Sequence, residues 1–142
     1  MEPFIKSEQK SASVELTEDK CYKILEKLVK NPNSWPFRSP VKPEEWGILD
    51  YFDVIKEPMD LGTVSDKLSQ TDISLRRGPY ADMSNFIRDI KLVWSNCKTY
   101  NTAGSDIWTL ADEMEKEFEY LLAQATGSML EKKMQLSATF FY

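Results

Sequence analysis

The sequence predicts an all-α fold, most simply an antiparallel four-helix bundle. Three observations carry that reading. Four segments place apolar residues at the three-then-four spacing of a helix face, no segment alternates apolar and polar residues like a strand, and the longest irregular connection is rich in large apolar side chains. With 142 residues the chain is long enough for one domain of ordinary size.

Residues 1–14 are polar and irregular, with Pro3 and a Ser/Lys/Glu/Gln mixture, and read as a flexible linker. From Leu16 the helical spacing begins: Cys21, Ile24, Leu25, Leu28 and Val29 share one face. Thr17 is the expected N-cap, and Glu18 and Asp19 suit the positive end of the helix dipole. Asn31-Pro32 ends this helix, because a residue before proline is pushed out of the α region.

From Pro32 to Pro58 the chain holds five of its seven prolines and no helical or alternating period. Yet it carries Trp35, Phe37, Val41, Trp46, Ile48, Leu49, Tyr51, Phe52, Val54 and Ile55. So long and apolar a loop is uncommon inside a domain. It is expected to be functional, and to fold back on the helices and bury those side chains.

A short helix follows, capped by Asp60, with Leu61, Val64 and Leu68 inward. Ser69 to Pro79 is a second connection, ending in Arg76-Arg77-Gly78-Pro79. The strongest helix signal comes next, through Met83, Phe86, Ile87, Ile90, Val93, Trp94, Cys97 and Tyr100. Thr102 to Ser105 breaks it, and Ser105 with Asp106 opens the last helix. Its inward face is Ile107, Leu110, Ala111, Met114, Phe118, Leu121, Leu122 and Ala125. Gly127 is a natural stop, with an extension through Met129–Leu136 as the alternative, and Phe140-Phe141-Tyr142 has no assigned role. The expected organisation is a linker over 1–14, a domain over 15–126, and a helical extension or tail over 127–142.

Composition removes several function classes. Without histidine, the Ser-His-Asp triad, the HExxH zinc site and imidazole acid–base catalysis are all unavailable. Cys21 and Cys97 are too few for an all-cysteine zinc site or a disulfide scaffold, and suit a reducing compartment as small buried side chains. Twenty-three acids against eighteen bases give a net charge of −5. That is the wrong sign for a grip on phosphates, and it favours a basic partner. No apolar stretch approaches a membrane span, and Met1–Ser13 lacks the apolar core of a signal peptide. A soluble intracellular protein is expected.

Three segments exceed what a core needs: Trp35-Pro36-Phe37 with Val41 beyond, the run Tyr51 to Thr63 containing Glu57-Pro58-Met59-Asp60, and Asn96-Cys97-x-x-Tyr100-Asn101 with Ile107 beyond. In this order and spacing, from Leu16 to about Ala125, the sequence resembles the bromodomains. The resemblance implies a left-handed four-helix bundle whose first and last inter-helix loops form a pocket at one end. It implies acetylated lysine as ligand, most often on a histone tail, and so a non-catalytic module of a nuclear chromatin or transcription regulator. Acetylated histone peptides and other chromatin proteins are the implied partners, with no cofactor, metal, membrane or direct nucleic-acid contact. By position, Asn101 matches the anchoring asparagine, Tyr51 the water-holding tyrosine, Trp35-Pro36-Phe37 the apolar shelf and Ile107 the pocket mouth. Val41, Trp46, Ile48, Cys97 and Tyr100 match the pocket walls. Leu49 departs from the proline many members carry, and Trp46 is large for its position.

The chemistry of these residue types agrees. Acetyl-lysine offers a long apolar stem and one strong carbonyl acceptor, so a receptor needs apolar walls and a rigid N–H donor at the base. Asn101 supplies the donor through its amide, and Tyr51 reaches the same oxygen through a water at little enthalpic loss. Unmodified lysine would bury an ammonium among Val41, Phe37 and Ile107. That costs several kcal/mol, roughly a thousandfold or more in discrimination. Six acids (Glu44, Glu45, Asp50, Asp53, Glu57, Asp60) face two lysines, Lys42 and Lys56, between Val41 and Asp60, a field that attracts a basic tail.

Each residue also has a plainer role. Asn101 alone would be a helix C-cap in the left-handed conformation, Tyr51 a packed aromatic, and Cys97 core filler. The acids from Asp112 to Glu119 read as a solvated face partly paired with Lys116. The rival reading keeps the bundle as a helical interaction module that has lost acetyl-lysine binding. An enzyme would need paired carboxylates in a cleft, and the acids here fall on loops and exposed faces.

Overall fold

A computed structural model describes residues 15–127. The expected linker over 1–14, the extension through Met129–Leu136 and Phe140-Phe141-Tyr142 lie outside the described residues. Four longer helices form the frame: α1 (Glu18–Lys30), α4 (Leu61–Ser69), α5 (Met83–Tyr100) and α6 (Asp106–Thr126). No strand occurs among the described residues. α1 packs on α4 and α6, and α5 packs on the same two, so the four helices close a ring.

The caps are those the side chains dictate. Thr17 Oγ1 accepts from the Lys20 N–H at 3.2 Å, Asp60 Oδ2 from the Thr63 N–H at 3.0 Å, and Ser105 Oγ from the Trp108 N–H at 3.4 Å. Gly127 ends α6 at φ 82°, a conformation that glycine adopts without steric cost.

The core is drawn from the predicted faces. Cys21, Leu28, Leu61, Val64, Leu68, Phe86, Ile90, Trp94, Met114 and Phe118 are buried, while Val29, Ile107, Leu110, Leu122 and Ala125 pack half-buried around them. Lys98 on α5 spans to α6, donating to Asp112 and Glu115 at 2.6 Å each. Lys116 pairs with Asp112 as expected, at a longer 3.3 Å.

The long connection departs from expectation in two ways. It is not free of helix: a 3-10 turn covers Pro32–Phe37, α2 covers Pro43–Trp46 and α3 covers Tyr51–Val54. Pro32 and Pro43 sit at helix starts, where a fixed φ costs nothing, and four to six residues are too few to display a period. Nor are its apolar side chains uniformly buried. Phe37, Tyr51 and Ile55 are, whereas Trp35, Trp46, Leu49, Phe52 and Val54 stay exposed. A single turn such as α3 has one inward face: Tyr51 and Ile55, four apart, take it and Phe52 and Val54 point away. The 3-10 turn packs on α1 and α6, and α3 packs on α5, which draws the connection over one end of the ring.

The second connection is tied to itself and to the start of α5. Asp72 and Arg77 form an isolated antiparallel bridge, and Tyr80 is buried with its hydroxyl donating to Asp89 at 2.6 Å. Gly78 has φ 95°, and a Cβ there would lie 2.3 Å from the carbonyl oxygen of Gln70, so no other residue fits.

Candidate functional site

A cavity of about 540 Å³ opens between the long connection and the junction of α5 with α6. All eleven residues singled out in the sequence line it. Trp35, Pro36, Phe37, Val41, Trp46, Ile48 and Tyr51 come from the connection; Cys97, Tyr100, Asn101 and Ile107 come from the helix junction. Residues as far apart in sequence as Trp35 and Ile107 thus share one hollow.

Asn101 caps α5, in extended rather than left-handed backbone, with φ −99° and ψ 153°. Its backbone N–H donates to the Cys97 carbonyl at 3.0 Å, and its side-chain Nδ2 donates to the same oxygen at 2.9 Å. Two donors on one carbonyl use both lone pairs and fix the plane of the amide. Nδ2 also donates to Cys97 Sγ at 3.5 Å, a weak acceptor that a carbonyl oxygen entering the cavity would outcompete. Capping and cavity-facing roles coexist in one side chain.

Tyr51 is only 5% exposed, and its ring meets Tyr100 edge-on at 5.0 Å between centroids. Its hydroxyl makes no hydrogen bond among the described residues, and burial pushes its pKa up to about 12. It stays a neutral donor at any physiological pH. Tyr100 turns its own hydroxyl outward, donating to Asp50 Oδ1 at 2.6 Å, and that bond to a carboxylate raises its pKa. Leu49 sits exposed, while the Tyr51 N–H donates to Ile48 O at 3.0 Å and holds the turn.

The shelf divides its labour. Phe37 is buried and meets Trp94 edge-on at 5.4 Å, so it belongs to the core as well as the wall. Trp35 is 65% exposed and Trp46 51% exposed, and both stand at the mouth. Cys97 is buried with its pKa raised to about 11 by desolvation, which keeps the thiol protonated and inert.

One of the six acids at the rim, Glu57, is offset by a cation that the count between Val41 and Asp60 did not include. Asp60 is buried and spends its carboxylate capping α4, accepting from the Thr63 N–H and hydroxyl. Glu57 is bound through both oxygens to Arg88 at 2.6 Å. Glu44, Glu45 and Asp53 remain exposed, with no ion pair among the described residues, and Asp50 accepts from Tyr100.

Ser39, Met59, Asp60 and Val93 also line the cavity and were not anticipated there. Val93 lies one turn before Cys97 on α5, so helical spacing gave the signal. Met59 follows Pro58 in irregular chain, where no periodicity points anywhere. No group of Cys, Asp and Glu among the described residues is placed to hold a metal ion.

Comparison with known proteins matches residues 21–113 to the family model described as Bromodomain. The chain is 38% identical over 124 residues to Transcription factor GTE9 of Arabidopsis thaliana, covering 87% of this chain and 16% of that protein. It is 37% identical over 117 residues to Transcription factor GTE10 of the same plant, covering 82% and 10%. With Tyrosine-protein kinase BAZ1B of Danio rerio it shares 41% over 106 residues, covering 75% of this chain and 6% of that one. The chain therefore spans less than a fifth of each of these relatives.

Proposed function

The chain belongs to the bromodomain family, and on that premise we propose that residues 15–126 form a non-catalytic module that binds acetylated lysine on histone tails. Within a longer nuclear protein it would serve transcription or chromatin regulation, a reading that fits relatives named as transcription factors, such as Transcription factor GTE9.

One observation carries the reading: the Asn101 amide is fixed by the Cys97 carbonyl and lines a mainly apolar cavity. A fixed amide at the base of a greasy hollow favours a neutral carbonyl at the end of an apolar stem. The Asn101 amide donates to the acetyl oxygen, and Tyr51, whose hydroxyl has no other partner among the described residues, reaches that oxygen through a water. Val41, Ile48, Phe37 and Ile107 surround the methylene stem, while Trp35 and Trp46 flank the peptide at the mouth. An ammonium in the same place would lose its hydration among mainly apolar walls, and the one buried carboxylate there, Asp60, already accepts two hydrogen bonds at its cap. Affinity is set by one side chain and a peptide that must be ordered, which places it at roughly micromolar to millimolar.

Calorimetric titration with an acetylated histone-tail peptide and its unmodified form tests the proposal. Saturable binding of the acetylated peptide alone is expected. Equal, negligible heats from both would favour a helical interaction module without acetyl-lysine binding. Loss of the acetyl group by mass spectrometry would point instead to an enzyme.

A further inference from the structure

Glu57 is the one residue of the long connection that α5 grips twice by hydrogen bonds. Arg88 donates to both oxygens of its carboxylate at 2.6 Å, and Asn96, two turns along the same helix, donates from Nδ2 to its backbone carbonyl at 2.9 Å. Asn96 is buried at 9% exposure, an expensive place for an amide unless its bond matters. Arg88 is itself braced, since Nη1 donates to Asp89 at 3.1 Å. Asp89 is buried and held by the Tyr80 hydroxyl at 2.6 Å and by Lys67 at 2.8 Å. None of Glu57, Arg88, Asp89 and Asn96 lines the cavity.

What the grip holds does line it. Glu57 lies in the irregular piece between α3 and α4, with Tyr51 upstream and Met59 just downstream, both on the cavity wall. The opposite wall, Cys97 and Asn101, stands on α5 itself. A second fastening, Tyr100 to Asp50, secures the upstream end of the same wall. The two fastenings bracket Tyr51 in the sequence, so this wall is tied to α5 on both sides.

We propose that Arg88 and Asn96 are positioning residues for acetyl-lysine: by clasping Glu57 they hold the Tyr51–Met59 wall at the span a single acetyl oxygen needs. The inference rests on the acetyl-lysine reading. Releasing the clasp lets the wall leave its binding-competent place. If that place is then occupied a tenth of the time, apparent affinity falls about tenfold with no ligand contact removed.

The test compares the parent with Arg88→Met, Glu57→Gln, their double variant, Arg88→Lys and Asn96→Ala. Each is titrated with the acetylated and the unmodified histone-tail peptide well below its melting temperature. Arg88 and Glu57 are each about half exposed, at 53% and 54%, so their variants fold even if Asn96→Ala does not. The single variants should bind the acetylated peptide about tenfold more weakly. The double variant should be no weaker than either, because one clasp is broken in all three. Arg88→Lys, which keeps the charge and one of the bonds, should recover part of the loss. Amide hydrogen exchange over residues 55–60 should quicken in the same variants, which a merely global loss of stability would not confine to that segment. Variants that match the parent in affinity, or losses that add in the double variant, overturn the positioning role while leaving the acetyl-lysine reading standing. A parent that does not distinguish the two peptides removes both.

Discussion

The Cys97 carbonyl accepts two hydrogen bonds from Asn101, at 3.0 Å from the backbone N–H and 2.9 Å from Nδ2. The side chain that ends α5 is thereby oriented before any ligand arrives, and the entropy of fixing an amide is met in folding rather than in binding.

Replacing it separates the two roles. Asn101→Ala should lose measurable acetyl-peptide binding while the melting temperature drops by only about 2–5 °C, matching roughly 1 kcal/mol for one partly exposed hydrogen bond. Calorimetric titration beside a thermal melt checks both. Parental affinity in this variant would reduce Asn101 to a cap.

Tyr51→Phe removes a hydroxyl with no partner among the described residues, so the fold should be unharmed. Binding should weaken by about 1 kcal/mol, roughly fivefold, because a bridging water keeps its other partners. An unchanged dissociation constant would show that no water links this residue to the ligand.

Trp35 and Phe37 are neighbours in sequence and opposites in consequence. Phe37→Ala should cost about 3–5 kcal/mol of stability, since the ring is buried against Trp94. Trp35→Ala should leave the denaturant midpoint nearly unchanged and weaken peptide binding, because an exposed indole has little to lose but its ligand.

Stability should be level through neutral pH and fall on the alkaline side. No histidine titrates near neutrality. Burial raises the folded-state pKa of Cys21 from 9.0 to about 12, of Cys97 from 9.0 to about 11, and of Tyr51 from 10.0 to about 12. In each case the folded protein keeps a proton that the unfolded chain gives up. The stability is therefore intact below the unfolded value and is lost as pH rises from about 9 towards 12. Melting temperature measured across that range should decline, and Cys21→Ala should decline less steeply. A parental slope in that variant would show that Cys21 is not responsible.

Much of this was legible in the residues themselves. Thr17, Asp60 and Ser105 read as caps and act as caps, because a cap is a bond between near neighbours. Cys21, Ile24, Leu25 and Leu28 read as one buried face for the same local reason. The long connection was only half legible. That it mattered followed from its apolar content, but which side chains turn inward depended on turns of four to six residues, too short to leave a period.

The sequence alone determined the four longer helices, their inward faces and the absence of histidine chemistry, which depend on spacing along the chain and on side-chain identity. Eleven of the fifteen residues that line the cavity followed from the resemblance to a known family. Only the tertiary structure decided how charge and position are shared at that cavity. It paired Glu57 with Arg88, left Trp35 and Trp46 at the mouth, and joined Asn96 to a carbonyl thirty-nine residues away. Such pairings have no local signature, because each exists only once the chain has brought distant groups within about 3 Å of one another.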